Sequence, residues 1–290
     1  MINNSNNVSF CGATRWFKKE LFINKSSIDN IINSTNSEFV GTLPREIIQD
    51  IVRVSKNKED KIKRIKNIMD GFSSVSQSIL ALRGKLEKYG CYWESNSSFK
   101  NKKFIKVIEK NLNKVFRKGK LIKFGEKIRV ETLGEGGFGD VFLIRFPERK
   151  QYQPLVLKLF RYSGNSEFVN FCNHGALAEN NIMIRLNDLF KKLKEDAIHA
   201  KGLFGSLKNA FLVSEYVSNK AGYTVKHGEF ESFTAIGEKC CYEISETLKK
   251  VGLAYTDYRP SNIIGGKLVD YGGIQDMFKK YSKPESYYNY

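Results

Sequence analysis

A cluster of glycines lies between two apolar segments near the middle of the 290-residue chain. It reads Gly134-Glu-Gly136-Gly-Phe-Gly139-Asp-Val141, and the flanking Ile128–Leu133 and Val141–Phe146 have the residue pattern of β-strands. Glycines at this spacing let backbone amides approach phosphate groups, because a side chain would obstruct them. In the dinucleotide-binding unit such glycines open a helix, whereas strand formers follow them here. The cluster therefore predicts a β-hairpin that covers phosphates.

An apolar strand that contains a lysine follows this cluster. In the segment Leu155-Val-Leu-Lys158-Leu-Phe, Lys158 comes nineteen residues after Gly139. A lysine within an apolar strand needs a partner or a ligand, because its ammonium group is costly to desolvate. Lys158 is therefore a candidate binding residue.

Two acidic segments lie close together further along the chain. Asp257 precedes Asn262 by five residues, and Asp270 follows Asn262 by eight. Between Asn262 and Asp270, two short segments of strand formers flank Gly265-Gly266, a composition typical of a two-residue hairpin turn. We therefore expect a tight hairpin between Asn262 and Asp270.

In this order, the segments resemble the eukaryotic-like protein kinase family over residues 126–272, roughly half of the chain. The glycine cluster matches the G-x-G-x-x-G-x-V loop, and Lys158 matches the lysine of the third strand. Tyr-Thr-Asp257-Tyr-Arg-Pro-Ser-Asn262 resembles the catalytic loop H-R-D-x-K-P-x-N, and Asp270-Tyr-Gly resembles D-F-G. The resemblance implies a minimal bilobal α+β fold, with an antiparallel β N-lobe and a truncated helical C-lobe. It also implies ATP and Mg2+ as cofactors.

The resemblance implies a role for each matching residue. Asp257 would be the catalytic base, Lys158 would hold the α- and β-phosphates, and Arg259 would steady the transferred phosphoryl group. Asn262 and Asp270 would hold Mg2+. The remaining nucleotide-binding positions would be Gly134, Glu135, Gly136, Gly137, Phe138, Gly139, Val141, Glu179, Glu215 and Val217.

Three of these positions depend on the predicted surroundings. Glu179, on a helical segment after the lysine strand, is expected to pair with Lys158, and Glu167 is the alternative. Ala210–Val217 would form a buried strand that runs into a hinge, where the backbone of Glu215 and Val217 would bind adenine.

The sequence also departs from the family pattern. Tyr255 and Thr256 replace the His and Arg of H-R-D, and that Arg normally pairs with a phosphorylated activation loop. Eighteen residues follow Gly272 in this sequence, so we expect no Ala-Pro-Glu segment or later helices. In this respect the chain resembles compact kinases that bacterial pathogens deliver into host cells. This resemblance implies a secreted effector that acts on a host protein substrate with a host activator. The Arg259-Pro that follows Asp257 resembles the Ser/Thr-type catalytic loop more than the tyrosine type, which favours Ser or Thr acceptors.

The first part of the chain carries most of the net charge of +17. Residues 1–125 hold 25 Lys and Arg against 11 Asp and Glu, whereas residues 126–290 hold 23 against 20. Phe104, Ile108, Leu112 and Val115 repeat at helical spacing, with lysines around most of the remaining circumference. We favour a helix that packs this apolar stripe on the next domain. The alternative is a surface for an anionic ligand or a membrane.

Three regions follow from these patterns. We expect a loosely ordered segment over 1–40, a mostly α-helical basic region over 41–125, and a truncated kinase-like domain over 126–290. In the basic region, helices should begin after Leu43 and cover Lys61–Gly71 and Val75–Tyr89. In the kinase-like domain, a helix should cover Glu231–Lys250.

Two other functions remain open. One is a pseudokinase scaffold that binds a host partner through the basic region, and the other is a kinase-fold nucleotidyltransferase. The presence of Lys158, Asp257, Asn262 and Asp270 together favours the kinase. No transmembrane stretch or export signal is apparent, and the five cysteines form no Cys-x-x-Cys pair, which favours a cytosolic environment. The resemblance to effector kinases implies that this environment is the host cytoplasm. The sequence does not predict the oligomeric state.

Overall fold

A computed structural model of the chain describes residues 39–88, 97–136, 139–161, 176–193, 198–206, 209–227 and 230–276. The chain divides into two compact units. The first contains the residues up to Asn187 together with Lys201–Tyr216, and the second contains Asp188–Ala200 and the residues from Val217 onward. The chain thus passes from one unit to the other after Tyr216, within the segment expected to be a hinge.

A six-stranded sheet forms the core of the first unit. Its strands are β1 (Phe39–Gly41), β2 (Arg129–Gly136), β3 (Gly139–Arg145), β4 (Leu155–Phe160), β5 (Gly202–Ser206) and β6 (Phe211–Glu215). Their order is β1-β5-β6-β4-β3-β2, and every neighbouring pair is antiparallel. The strands expected around the glycine cluster and at Lys158 are confirmed. The expected segment 1–40 needs a correction, because Phe39 and Val40 pair with β5; residues 1–38 lie outside the described part.

The helices of the first unit are α1 (Arg45–Val54), α2 (Lys58–Lys88), α3 (Ser97–Lys118) and α4 (Ala176–Leu193), of which the last continues into the second unit. The prediction of two helices, Lys61–Gly71 and Val75–Tyr89, was wrong, because the structure has the single helix α2 from Lys58 to Lys88. Gly71 suggested a break, yet a Cβ added there would lie 2.7 Å from both Cγ atoms of Val115. Gly71 therefore permits close packing of α2 against α3, and the helix continues through it.

The apolar stripe of α3 packs toward the sheet, as favoured from the sequence. Phe104, Ile108, Leu112 and Phe116 are fully buried in the same core cluster as residues of β3 and β4. Phe116 takes the place expected for Val115, which is partly buried. The lysines at positions 102, 103, 106, 110, 114 and 118 are exposed.

Polar side chains of α3 also cover the edge strand β2. Glu109 accepts a hydrogen bond from the N–H of Val130 at 3.0 Å, and Asn113 accepts one from the N–H of Ile128 at 2.9 Å. An uncovered edge strand exposes such groups to pairing with other chains. Helix α3 therefore serves the sheet with both its apolar and its polar residues.

Smaller elements make up the second unit. They are β7 (Thr224–His227), β8 (Phe230–Phe233), α5 (Ala235–Lys250), β9 (Leu253–Tyr255), β10 (Ile263–Ile264), β11 (Lys267–Leu268) and β12 (Ile274–Asp276). The strands form the antiparallel pairs β7–β8, β9–β12 and β10–β11. The helix expected from Glu231 begins only at Ala235, because Phe230–Phe233 pairs with β7 and Thr234 caps the helix by accepting a hydrogen bond from Gly237 N at 3.2 Å.

These elements make the described chain an α+β protein built on antiparallel strands. Within the described residues, none of the helices combines the length and apolar character needed to span a membrane.

The packing of α3 on the sheet predicts the effect of truncating its buried stripe. Leu112→Ala should lower the free energy of unfolding by about 2–5 kcal/mol, because it leaves a cavity in a fully buried site. The exposed neighbour provides the control: Lys114→Ala should change that free energy by less than about 0.5 kcal/mol. Urea denaturation of both variants measures the difference, and equal losses would contradict the packing.

Candidate functional site

The glycine cluster forms the hairpin of β2 and β3. The strands pair from Arg129 with Arg145 up to Gly136 with Gly139, with an irregularity between Thr132 and Gly134. Gly137 and Phe138, at its tip, lie outside the described residues. The hairpin is thus the structure expected from the glycine spacing.

Two glycines of the hairpin differ in what surrounds them. A Cβ added at Gly139 would lie 2.7 Å from the carbonyl oxygen of Leu159, so the close approach of β3 and β4 requires glycine there. A Cβ added at Gly134 would meet no described atom within 4 Å. Packing within the described chain therefore accounts for Gly139 but not for Gly134.

Lys158 lies in the middle of the sheet and is paired with a buried carboxylate. Its register partners are Val141 on β3 and Leu212 on β6. The Lys158 ammonium donates to both carboxylate oxygens of Glu179 on α4, at 2.7 Å each. The Glu179 side chain is fully buried, while Lys158 retains 15% exposure. Glu179 is thus the partner that the resemblance favoured, and Glu167 lies outside the described residues.

The end of β6 carries the predicted hinge residues. The N–H of Glu215 donates to the carbonyl of Lys201 at 2.9 Å, and its carboxylate accepts from the N–H of Lys201 at 2.8 Å. Glu215 is the last residue of β6, and Val217 begins the following part of the second unit. Because its N–H is used by Lys201, any contact of the Glu215 backbone with a base would involve the carbonyl.

In the second unit, the loop after β9 brings three predicted site residues together. The Nδ2 of Asn262 donates to the Asp257 carboxylate at 2.9 Å and to the Asp257 carbonyl at 3.1 Å. The Arg259 guanidinium donates to the same carboxylate, and this hydrogen bond raises the pKa of Arg259. Asp257 therefore has a fixed orientation with a positive charge beside it.

Asp270 follows the predicted hairpin directly. Gly265 and Gly266 have positive φ angles of 57° and 82° and form the turn between β10 and β11, as expected from the sequence. The Asp270 carboxylate accepts a hydrogen bond from Gly272 N at 3.0 Å. Tyr271 is buried and donates its hydroxyl hydrogen to the carbonyl of Ala200. The hydroxyl group of the buried Tyr271 thus has a hydrogen-bond partner.

Tyr255 links the two acidic segments. Burial raises the pKa of this phenol far above its usual value, and the nearby carboxylates of Asp270 and Asp257 raise it further. Asp257 and Asp270 therefore lie around one neutral tyrosine. Sequence reasoning noted Tyr255 only as a departure from histidine, and its alternation in the apolar strand Leu253–Tyr255 was the available signal for burial.

The oxygen atoms of this loop suit a hard cation. Mg2+ is typically held by one or two carboxylates, with phosphate oxygens and waters completing an octahedron. Asp270 and Asn262 provide such a sparse set beside Asp257. The described residues contain no group of three or more His, Cys, Asp or Glu side chains that could hold a metal alone. This composition fits Mg2+ bound together with a phosphate ligand.

The two free cysteines of the described residues, Cys240 and Cys241, are poor candidates for a catalytic nucleophile. Burial raises the pKa of Cys240, and burial together with Cys240 raises the pKa of Cys241 to about 11. Both therefore remain protonated near neutral pH, and a protonated thiol is a poor nucleophile.

Comparison with models of known protein families and with curated proteins found no match to this chain. The functional argument therefore depends on its motifs and on the geometry described above.

His199 packs behind the loop that carries Asp270. The backbone around it pairs with β11, through Ala200 N to Leu268 O at 2.8 Å and Leu268 N to Ile198 O at 2.9 Å. Its ring lies 5.2 Å from that of Phe190 and 6.2 Å from that of Tyr271. Burial, followed by the charge of Lys267, lowers the pKa of His199 to about 4.

This lowered pKa predicts a loss of stability in acid. The unfolded chain binds a proton at His199 below about pH 6.5, while the folded chain resists protonation until about pH 4, so stability rises with pH across this window. The full contribution is about 3 kcal/mol and is present above pH 7.

Urea denaturation of wild type and His199→Gln between pH 4 and pH 8 measures the contribution of His199. The variant should lose less stability than wild type as the pH falls, with pH 8 as the reference at which the histidine is neutral in both states. Parallel pH profiles would contradict the buried neutral histidine.

Proposed function

We propose that this protein is an ATP-dependent protein kinase that transfers the γ-phosphate of ATP to a Ser or Thr hydroxyl. The observation that carries the proposal is the ion pair of Lys158 with the fully buried Glu179. A lysine fixed by a carboxylate, on a strand beside a glycine-rich hairpin, is suited to hold the α- and β-phosphates.

The glycine-rich hairpin supports the same proposal. Gly134 has open space where a side chain would lie, so its absence of a Cβ is not explained by contacts within the described chain. A backbone that must approach phosphate oxygens closely would explain it. Gly134, Gly136 and Gly139 would cover the phosphates. The carbonyl of Glu215 and the N–H of Val217 would bind the adenine.

The second unit supplies the groups for the transfer itself. Asp257, oriented by Asn262, would accept the proton of the acceptor hydroxyl. Arg259, which already bonds Asp257, would stabilise the negative charge on the phosphoryl group in the transition state of the transfer. Asn262 and Asp270 would hold Mg2+. Bound Mg2+ would neutralise the charge that develops on the β- and γ-phosphate oxygens.

The finer proposal is that the acceptor is a host protein and that a host protein activates the enzyme. It is supported by the resemblance of the motif set to compact effector kinases, with Thr256 in place of the arginine used for activation-loop control. Delivery into a host cytoplasm belongs to the same proposal.

Replacing the base tests the reaction. Asp257→Asn should lower phosphate transfer by about a hundred- to ten-thousandfold, because general-base assistance is lost while the side-chain shape is kept. Mg-ATP binding should persist. Transfer of γ-labelled phosphate and the intact mass of acceptors, with the full chain alone and with eukaryotic cell extract, are the measurements.

A matched control for this test is Asp50→Asn, which removes a buried carboxylate of α1 that accepts from Tyr152 at 2.7 Å. Transfer should be retained in this variant. A mass increase of about 80 Da supports the proposal, whereas one of about 329 Da would indicate nucleotidyl transfer. Absence of any adduct, with Mg-ATP binding intact, would favour a scaffold, and labelling that appears only with extract would support the host activator or substrate.

Gly134 allows a separate test of nucleotide binding. Gly134→Val should leave the folded state intact, because the added side chain meets open space, yet weaken Mg-ATP binding about tenfold by obstructing the phosphates. Isothermal titration with Mg-ATP and thermal melting measure the two effects.

Gly139→Ala is the comparison for this test, since its Cβ would contact Leu159 O and lower the melting temperature. Unchanged affinity in Gly134→Val would contradict a phosphate site at the hairpin.

A further inference from the structure

A buried ion pair joins the helical region to the glycine-rich hairpin. Arg83 of α2 donates to the carboxylate of Asp140 of β3, with side-chain exposures of 4% and 0%. The Nη2 that bonds Asp140 also donates to the carbonyl of Leu159 at 3.4 Å, and the Nη1 of Arg83 donates to the carbonyl of Phe160 at 2.9 Å. The guanidinium carbon also lies 5.6 Å from the centre of the Phe104 ring.

Asp140 belongs to the glycine-rich hairpin itself, so its ion pair with Arg83 contacts that hairpin directly. Asp140 stands between Gly139 and Val141 and is paired in register with Glu135 on β2 and Leu159 on β4. Val141 is the register partner of Lys158, and neighbouring strand residues point to opposite faces of a sheet. Arg83 therefore holds the hairpin from the face opposite to Lys158 and Glu179.

A second arginine extends the contact across the hairpin. Arg161 donates to the Glu135 carboxylate at 3.2 Å and lies 3.7 Å from the Asp140 carboxylate. Glu135 is on β2 and Asp140 on β3, so the charged groups bridge both strands close to the Gly136–Gly139 tip.

Stability alone gives this ion pair a weak rationale. A buried ion pair pays a large desolvation cost, and replacement of both partners by apolar residues is often neutral or stabilising. A directional contact that fixes the end of the glycine-rich hairpin gives a stronger reason for its presence. The guanidinium suits this task because its planar fork bonds a carboxylate and two carbonyl groups at once.

We propose that Arg83 is a positioning residue whose contacts with Asp140 and β4 hold the glycine-rich hairpin in the form that accepts nucleotide phosphates. The expected effect on nucleotide binding rests on the proposed function. The expected effect on the hairpin conformation rests only on the contacts of Arg83. The basic helical region thereby contributes directly to the phosphate-binding element, in addition to covering the sheet.

The test compares Arg83→Met and Asp140→Asn with wild type, with Asp50→Asn as the control that removes another buried carboxylate, outside the hairpin. Hydrogen–deuterium exchange of peptides covering residues 129–145 is measured on the full chain without nucleotide. Mg-ATP affinity and the melting temperature are measured in parallel. Both Arg83 and Asp140 variants should show about tenfold faster exchange in the hairpin and about tenfold weaker Mg-ATP binding.

A double variant separates positioning from general stability. Arg83→Met combined with Asp140→Leu should regain part of the melting temperature that the single variants lose, since neither charge of the pair is left buried without its partner, without regaining hairpin protection or Mg-ATP affinity. Recovery of all three properties would overturn the positioning role. So would unchanged hairpin exchange in the single variants, or the same change in Asp50→Asn.

The exchange measurement also keeps the two proposals distinguishable. If wild type fails to bind Mg-ATP, the proposed function is contradicted, and faster exchange in the Arg83 variant still shows that Arg83 holds the hairpin in place. If wild type binds Mg-ATP and hairpin exchange is unaffected by Arg83→Met, the positioning role of Arg83 is contradicted and the proposed function stands.

Discussion

The central place of β4, with one face of buried leucines and a half-buried face that carries Lys158, is the constraint on which the first unit depends. Leu155, Leu157 and Leu159 point to one face and join the core formed with α1–α3. Lys158 and its alternate neighbours point to the other face, where the carboxylate of Glu179 compensates the ammonium charge. A central strand covered in this way needs partners for every polar group it carries, so the helix that brings Glu179 is as necessary to the sheet as the apolar helices are.

Local chemistry was sufficient to predict some of these features from the sequence. Gly265 and Gly266 formed the expected turn because positive φ angles are a local property of glycine. The Lys158–Glu179 contact was anticipated through the family resemblance, while the surrounding strands followed from alternating apolar residues. The roles of Asp257, Asn262 and Asp270 in a reaction remain proposals, although the structure brings the first two into hydrogen-bond contact.

Other features depended on contacts between distant residues and were beyond local patterns. Gly71 suggested a helix end, but its role is set by Val115, far along the chain. Residues 231–233 were expected to begin a helix, because the pairing of Phe230–Phe233 with β7 leaves no signal in helical periodicity. In the sequence, Arg83 has no feature that distinguishes it from the other cations of the basic region. Its partner, Asp140, occupies an unspecified position of the glycine motif between Gly139 and Val141. A buried arginine such as Arg83 can be told from an exposed one only when both its burial and its carboxylate partner are known.

The same reasoning changes the meaning of the positive charge in the first part of the chain. Helix α3 turns its apolar stripe and Glu109 toward the sheet, so exposed lysines are what remains on its outer side. Their number is then partly a consequence of burying the other residues, and an anionic ligand is not needed to explain why the helix is present. Arg83 differs from these lysines because it is desolvated and directed at a carboxylate beside the glycine cluster. Within this basic region, the charge with the greatest consequence for the proposed nucleotide site is therefore a buried one.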